Sequence, residues 1–190
     1  MGLLANLSQK IGNDLVKSKV VEAEDVEIYI YGINQILVSI LNVSSALIIG
    51  FIFGVIPEVA VFMAAYIPLR SFAGGYHAKT PLRCYIFSVI MLIVISIGLK
   101  YLHIADWVYY AVLVAATLVV LVLSPVEDRN KPLDEIEHKV YKRRTILIAA
   151  VELTLAMLLK LLMLDDLFIA TAYSFVVLSL MLIAGKVKNH

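Results

Sequence analysis

Cys84 is the only cysteine in the 190-residue chain, and His77 stands seven positions before it in the stretch GGYHAKTPLRC, residues 74–84. A thiolate is a strong nucleophile, and an imidazole takes and returns a proton near neutral pH. Together they suit acyl transfer, with the thiol attacking a carbonyl and the imidazole acting as base, then as acid to the leaving amine. Thr80-Pro81 directly precedes an apolar run. Thr is a good helix N-cap, and Pro is favoured at the first helical position. This reading places Pro81 at N1 and Cys84 at N4, beside Arg83. There the positive end of the helix and a neighbouring cation both favour thiolate. The two residues cannot pair on one straight helix, because seven residues rise roughly 10 Å. A fold-back at Thr80-Pro81 is required, and Gly74-Gly75 supplies another point where the chain can turn or let a substrate backbone approach. The spacing permits a Cys84/His77 dyad without demanding one: a lone buried cysteine is usually a small hydrophobe.

Apolar segments must position this stretch. The chain is 62% hydrophobic and only 16% charged, against roughly 45–50% and 25% in soluble domains. A bilayer-spanning helix needs about 20 mostly apolar residues. Residues 36–57, 84–99 (to about 102 if Lys100 snorkels), 107–126, 145–164 and 167–185 meet that need. Residues 59–69 are uncharged but short, and read as a tilted half-span, a re-entrant hairpin or a full span borrowing its flanks. The expected fold is an all-α integral membrane protein of about six transmembrane segments, a single domain over 1–190 with its bundle at 36–185. If all six cross, 14 of the 16 Lys and Arg residues fall on one side. By the positive-inside rule that side is the cytoplasm, and it holds both termini and the 77–84 stretch. Within the first 30 residues Leu3, Leu4, Leu7, Ile11 and Leu15 line one helical face. That pattern suits an amphipathic helix in the membrane interface or one packed on the cytoplasmic end of the bundle. Glu22, Glu24, Asp25 and Glu27 read as a solvated connector. A single cysteine excludes an internal disulfide, and no contiguous apolar leader of the cleavable kind is visible.

Few other residues invite chemistry. Asn34 and Gln35 lie at the cytoplasmic end of the first span, where Gln35 is placed to orient His77 or donate to an oxyanion. The basic stretch at 139–144 suits an acidic partner or lipid headgroups. Glu152 is costly in lipid and must face the bundle or water. His103 and His138 lack ligand-like neighbours, so neither a metal nor a cofactor is expected. The net charge of +1 gives no reason to expect a nucleic-acid partner. A transporter would show polar residues along several spans and internal repeats; a non-catalytic membrane scaffold would make Cys84 dispensable.

The block Arg70-Ser-Phe-Ala-Gly-Gly-Tyr-His77-Ala-Lys-Thr-Pro-Leu-Arg-Cys84 resembles the signature of the accessory gene regulator B (AgrB) family, membrane cysteine endopeptidases of Gram-positive quorum sensing. The N-terminal arm, the order of apolar segments, and Ser124-Pro125 followed by Asn130, Lys131 and Pro132 extend the likeness along essentially the whole chain. The resemblance implies an AgrD-like propeptide substrate with an amphipathic leader and an acidic tail, and an enzyme that works as a homodimer. It further implies that Cys84 attacks the bond before the tail with His77 as base. An internal Cys or Ser then releases a cyclic thiolactone or lactone. Arg70 in this block would hold a substrate carboxylate or brace the loop, and Gly74 and Gly75 would shape it.

Overall fold

The computed structural model describes residues 2–76, 78, 80–102, 104–127 and 133–189, with Leu3 and Asn189 described by their backbone alone. The fold is all-α. Among the described residues seven helices follow in order: α1 (Gly2–Lys17), α2 (Val26–Phe53), α3 (Ile56–Ala73), α4 (Pro81–Tyr101), α5 (Asp106–Leu123), α6 (Glu135–Leu161) and α7 (Asp165–Asn189). Five of them, α2, α3, α4, α5 and α7, are long and apolar enough to cross a membrane.

The short apolar segment at 59–69 proves to be part of an 18-residue helix. It borrows Ile56, Pro57 and Glu58 at one end and Arg70 to Ala73 at the other, with Pro57 in the first turn, where the missing N–H costs nothing. Two other helices start about ten residues earlier than the hydrophobic runs suggested. α2 begins at Val26 with Glu27 in its first turn, and nothing charged interrupts the chain from there to Phe53. α6 begins at Glu135 because Asp134 and Glu137 form a reciprocal capping box, so half of the expected 127–144 loop is helical. α5, conversely, stops at Leu123, and Ser124 and Pro125 leave it in extended conformation.

α6 carries Glu152 and Lys160, yet it runs the full length of α5 in the opposite direction. Lys160 pairs with Asp106 at the start of α5 (2.8 Å) and with Asp165 at the start of α7 (2.7 Å). At the other end Lys142 donates to the carbonyls of Leu121 and Ser124. Glu152 faces inward, 7% exposed, as its cost in lipid requires. Its Oε2 has no hydrogen-bond partner among the described residues.

α7 is the axis of the bundle. It packs against α3, α4, α5 and α6 and is buried on most of its circumference, as expected of a helix apolar all round. Phe168, Phe175 and Leu182 join it to Leu69 and Val120 on one side, and Ala170 and Met181 join it to Phe62 and Leu92 on the other. The outward faces of α2, α5 and α6 carry exposed Ile, Leu and Val side chains, which suits a lipid surround. α1 folds back along the first turns of α2, with Gly12 against Ile30 and Ser8 buried. The Ser8–Gly12 face of α1 therefore packs on α2, while Leu7 and Ile11 remain exposed.

Candidate active site

The site residues gather at the end of the bundle where α3 finishes and α4 begins. α3 ends because Gly74 (φ +74°) and Gly75 (φ +118°) take conformations open to glycine. The chain after them is fixed at four points. The Val126 N–H donates to the Ala73 carbonyl (2.9 Å), and the Gly75 N–H donates to the Val126 carbonyl (3.2 Å). The Tyr76 N–H donates to the Met181 carbonyl of α7 (2.9 Å). Arg70 Nη2 donates to the Tyr76 carbonyl (2.5 Å). Close approach explains the glycines. A Cβ on Gly74 would overlap the Val126 carbonyl oxygen, and one on Gly185 of α7 would stand 2.7 Å from the Gly75 carbonyl carbon and the Tyr76 nitrogen.

Thr80 caps α4 as its sequence position suggests. It is extended (φ −134°, ψ 147°), and its Oγ1 accepts from the Arg83 N–H (3.3 Å). Its carbonyl accepts from the Cys84 N–H (3.1 Å), so Cys84 stands at N4 in the first full turn. The thiol is exposed. The next residue, Tyr85, ties this turn to α2 through a 2.8 Å hydroxyl contact with Ser45, and Ser88 Oγ donates to the Cys84 carbonyl (3.0 Å).

Arg70, Gly74 and Gly75 thus belong to one hydrogen-bonded unit. Tyr66, one helical turn before Arg70, lies within electrostatic reach of both Arg70 and Cys84. Tyr66 did not stand out in the sequence; the available signal was its position one helical turn before Arg70. His77, Lys79, His103, Arg129 and Asn130 to Pro132 lie outside the described residues. Gln35 is exposed on α2 and makes no hydrogen bond or ion pair among the described residues. It lies ten residues, roughly 15 Å along the helix, from Ser45, which meets Tyr85.

The basic stretch at 139–144 is partly consumed by the fold. Lys142 closes the carbonyl end of α5, and Arg144 lies over the Phe72 ring (5.1 Å), which also meets Tyr141 edge-on at 5.8 Å. By securing Leu121 and Ser124, Lys142 steadies the segment 124–126, whose Val126 bridges to residues 73–75. Burial holds its pKa below the ordinary lysine value. The described residues contain no cluster of three or more His, Cys, Asp or Glu side chains able to hold a metal.

An accessory gene regulator B family profile matches residues 8–184. An AgrB-like protein 2 of Clostridium perfringens strain 13 is 24% identical over 164 residues, covering 82% of this chain and 77% of that protein. An AgrB-like protein of Listeria monocytogenes strain HCC23 is 23% identical over 151 residues, covering 78% and 74%. Accessory gene regulator protein B of Staphylococcus saprophyticus is 31% identical over 91 residues, covering 48% of each chain. No solved structure matches.

Proposed function

This chain belongs to the accessory gene regulator B family, and on that premise we propose that it is a membrane cysteine endopeptidase that matures an AgrD-like autoinducer propeptide. The observation that carries the reading is the exposed Cys84 at the N-terminal turn of α4, next to Arg83 in sequence and preceded by a loop braced by Arg70.

In the proposed reaction Cys84 Sγ attacks the carbonyl before the acidic tail of the propeptide. The C–N bond breaks, and His77, having taken the thiol proton, returns it to the departing amine. The acyl group remains as a thioester on Cys84. An internal Cys or Ser of the propeptide gives its proton to His77 and attacks that carbonyl, the C–S bond breaks, and a cyclic thiolactone or lactone leaves as Cys84 takes the proton back from His77. A leader held in the membrane interface keeps the internal nucleophile near and water scarce, so transfer outruns hydrolysis. The site end of the bundle faces the cytoplasm, and the enzyme works as a homodimer.

The test is direct. Purified protein incubated with an AgrD-like propeptide should form a mass-detectable thioester adduct on Cys84. Cys84→Ala should abolish adduct and cleavage while still inserting in membranes, and His77→Ala should lose turnover. Cleavage retained by Cys84→Ala would remove Cys84 as the nucleophile, and neither adduct nor cleavage with the wild-type protein would leave a non-catalytic scaffold or a transporter.

A further inference from the structure

The outer face of α6 changes character along its length. Near its start lies a shallow groove of about 310 Å³, lined by His138, Lys139, Lys142 and Arg143 and, one turn on, by Ile146 and Leu147. Lys139, Arg143, Ile146, Leu147, Ala150 and Met157 fall within about 100° of one another around the helix, so they form one stripe. All six are exposed. From Ile146 to Met157 the stripe carries no charge and rises about 16 Å, close to the ~15 Å of one leaflet of a bilayer core.

The fold sorts the cations of this helix into two kinds. Lys142 caps α5 and Arg144 lies over Phe72, whereas Lys139 and Arg143 enter no ion pair among the described residues. These two stand four residues apart, where like charges on a helix repel. One turn either side of Arg143 come Lys139, Val140, Ile146 and Leu147, none of them acidic. Of the acids that open α6, Asp134 and Glu137 hold the capping box, and Glu135, one turn to the water side of Lys139, forms no ion pair with it. An anion seated between Lys139 and Arg143 removes their repulsion. We propose that this stripe binds one anionic phospholipid, with its phosphate between Lys139 and Arg143 and an acyl chain along Ile146, Leu147 and Ala150 towards Met157. Cations at the membrane boundary followed by a leaflet's depth of apolar surface match the order of headgroup and chain. That order favours a lipid over an acidic peptide, whose backbone finds no hydrogen-bond partner along an apolar stripe. The site goes beyond the proposed reaction and does not depend on it.

Native mass spectrometry of the full-length protein in detergent, titrated with lipid, reads the affinity directly. Phosphatidylglycerol should bind severalfold more tightly than phosphatidylcholine with the same acyl chains. K139Q combined with R143Q should abolish that preference. K10Q combined with K186Q, which removes the same charge from exposed positions elsewhere, should keep it. Ala150→Trp obstructs the chain's path and leaves the charges, so it should weaken phosphatidylglycerol binding severalfold. Two competitions on the wild-type protein need no variant to fold: excess glycerol 3-phosphate and excess of a short glutamate-rich peptide should each leave the lipid bound. Equal affinity for the two lipids would overturn the site. So would a preference that survives the loss of Lys139 and Arg143 charge, or one that falls as far in the K10Q and K186Q control. Unchanged binding in Ala150→Trp would remove the acyl track. Displacement by glycerol 3-phosphate would make the groove a free-phosphate site, and displacement by the peptide an acidic-peptide site; either result would sink the lipid assignment.

Discussion

At the scale of single residues, Arg70 shows how one guanidinium can decide the shape of a site. It donates to the Tyr76 carbonyl and lies within electrostatic reach of Tyr66, and its planar fork fixes the direction of that bond where a lysine point charge does not. Of the two roles expected for it, bracing the loop is the one its contacts describe. Arg70→Lys should therefore lower propeptide turnover about 10- to 100-fold, the worth of one charged hydrogen bond of about 1.5–3 kcal/mol. Membrane insertion and the alkylation rate of Cys84 should stay near wild type; full turnover in this variant would remove the bracing role. Lys142 gives a prediction with a definite sign. Burial lowers its pKa, so the native state releases its proton more readily than the unfolded chain. Stability from this residue must then rise as pH climbs through the lowered value towards the ordinary 10.5. The neutral amine still has two protons for the two carbonyls, so the cap survives deprotonation. Thermal unfolding in detergent between pH 8 and 10.5 should show wild type gaining on Lys142→Arg, which does not titrate there; a falling difference would contradict the burial.

At the scale of elements, the loop after α3 is held in place by backbone contact with α7 and with residues 124–126, and Gly185 makes that contact possible. Gly185→Ala should improve α7 as a helix by up to about 1 kcal/mol yet push Gly75 and Tyr76 away from it. Activity should fall steeply while the unfolding temperature stays level or rises, a separation that a merely destabilising substitution would not give. Activity assays and thermal scans on the same preparation decide it. Local chemistry made some of this legible in the sequence: Thr80-Pro81 announced the start of α4, and the placement of Cys84 at N4 followed from it. Asp134 and Glu137 announced the start of α6 equally well, but the positive charges after them read as a loop. The pinning of residues 73–76 by Val126 and Met181 was not legible, because those partners come from distant segments and offer main-chain atoms. The length of α3 was obscured by Glu58 and Arg70, whose charges truncate the apolar run though the helix continues through both.

At the scale of the whole molecule, charge and packing order the bundle together. The contacts of Lys142, Phe72, Gly74 and Gly185 put the ends of α3, α5 and α7 and the starts of α4 and α6 at one pole. The turns at 54–55, 102–105 and 162–164 lie at the other. The described basic residues Arg70, Arg83, Lys139, Lys142, Arg143, Arg144, Lys186 and Lys188 belong to the first pole, whereas the second has Lys100, over the Tyr101 ring, and Lys160, paired with Asp106 and Asp165. Cytoplasmic loops are the ones enriched in Lys and Arg, so the thiol pole should face the cytoplasm, where a newly made propeptide is within reach. The single cysteine makes the orientation measurable. A membrane-impermeant maleimide applied to intact cells should leave Cys84 unlabelled and should label it once the membrane is permeabilised. In a Cys84→Ala background, Met163→Cys in the opposite turn, where Met163 is 87% exposed, should label from outside without permeabilisation. Reversal of these two patterns would put the thiol pole outside the cell, and the cytoplasmic encounter of enzyme and propeptide would fall with it.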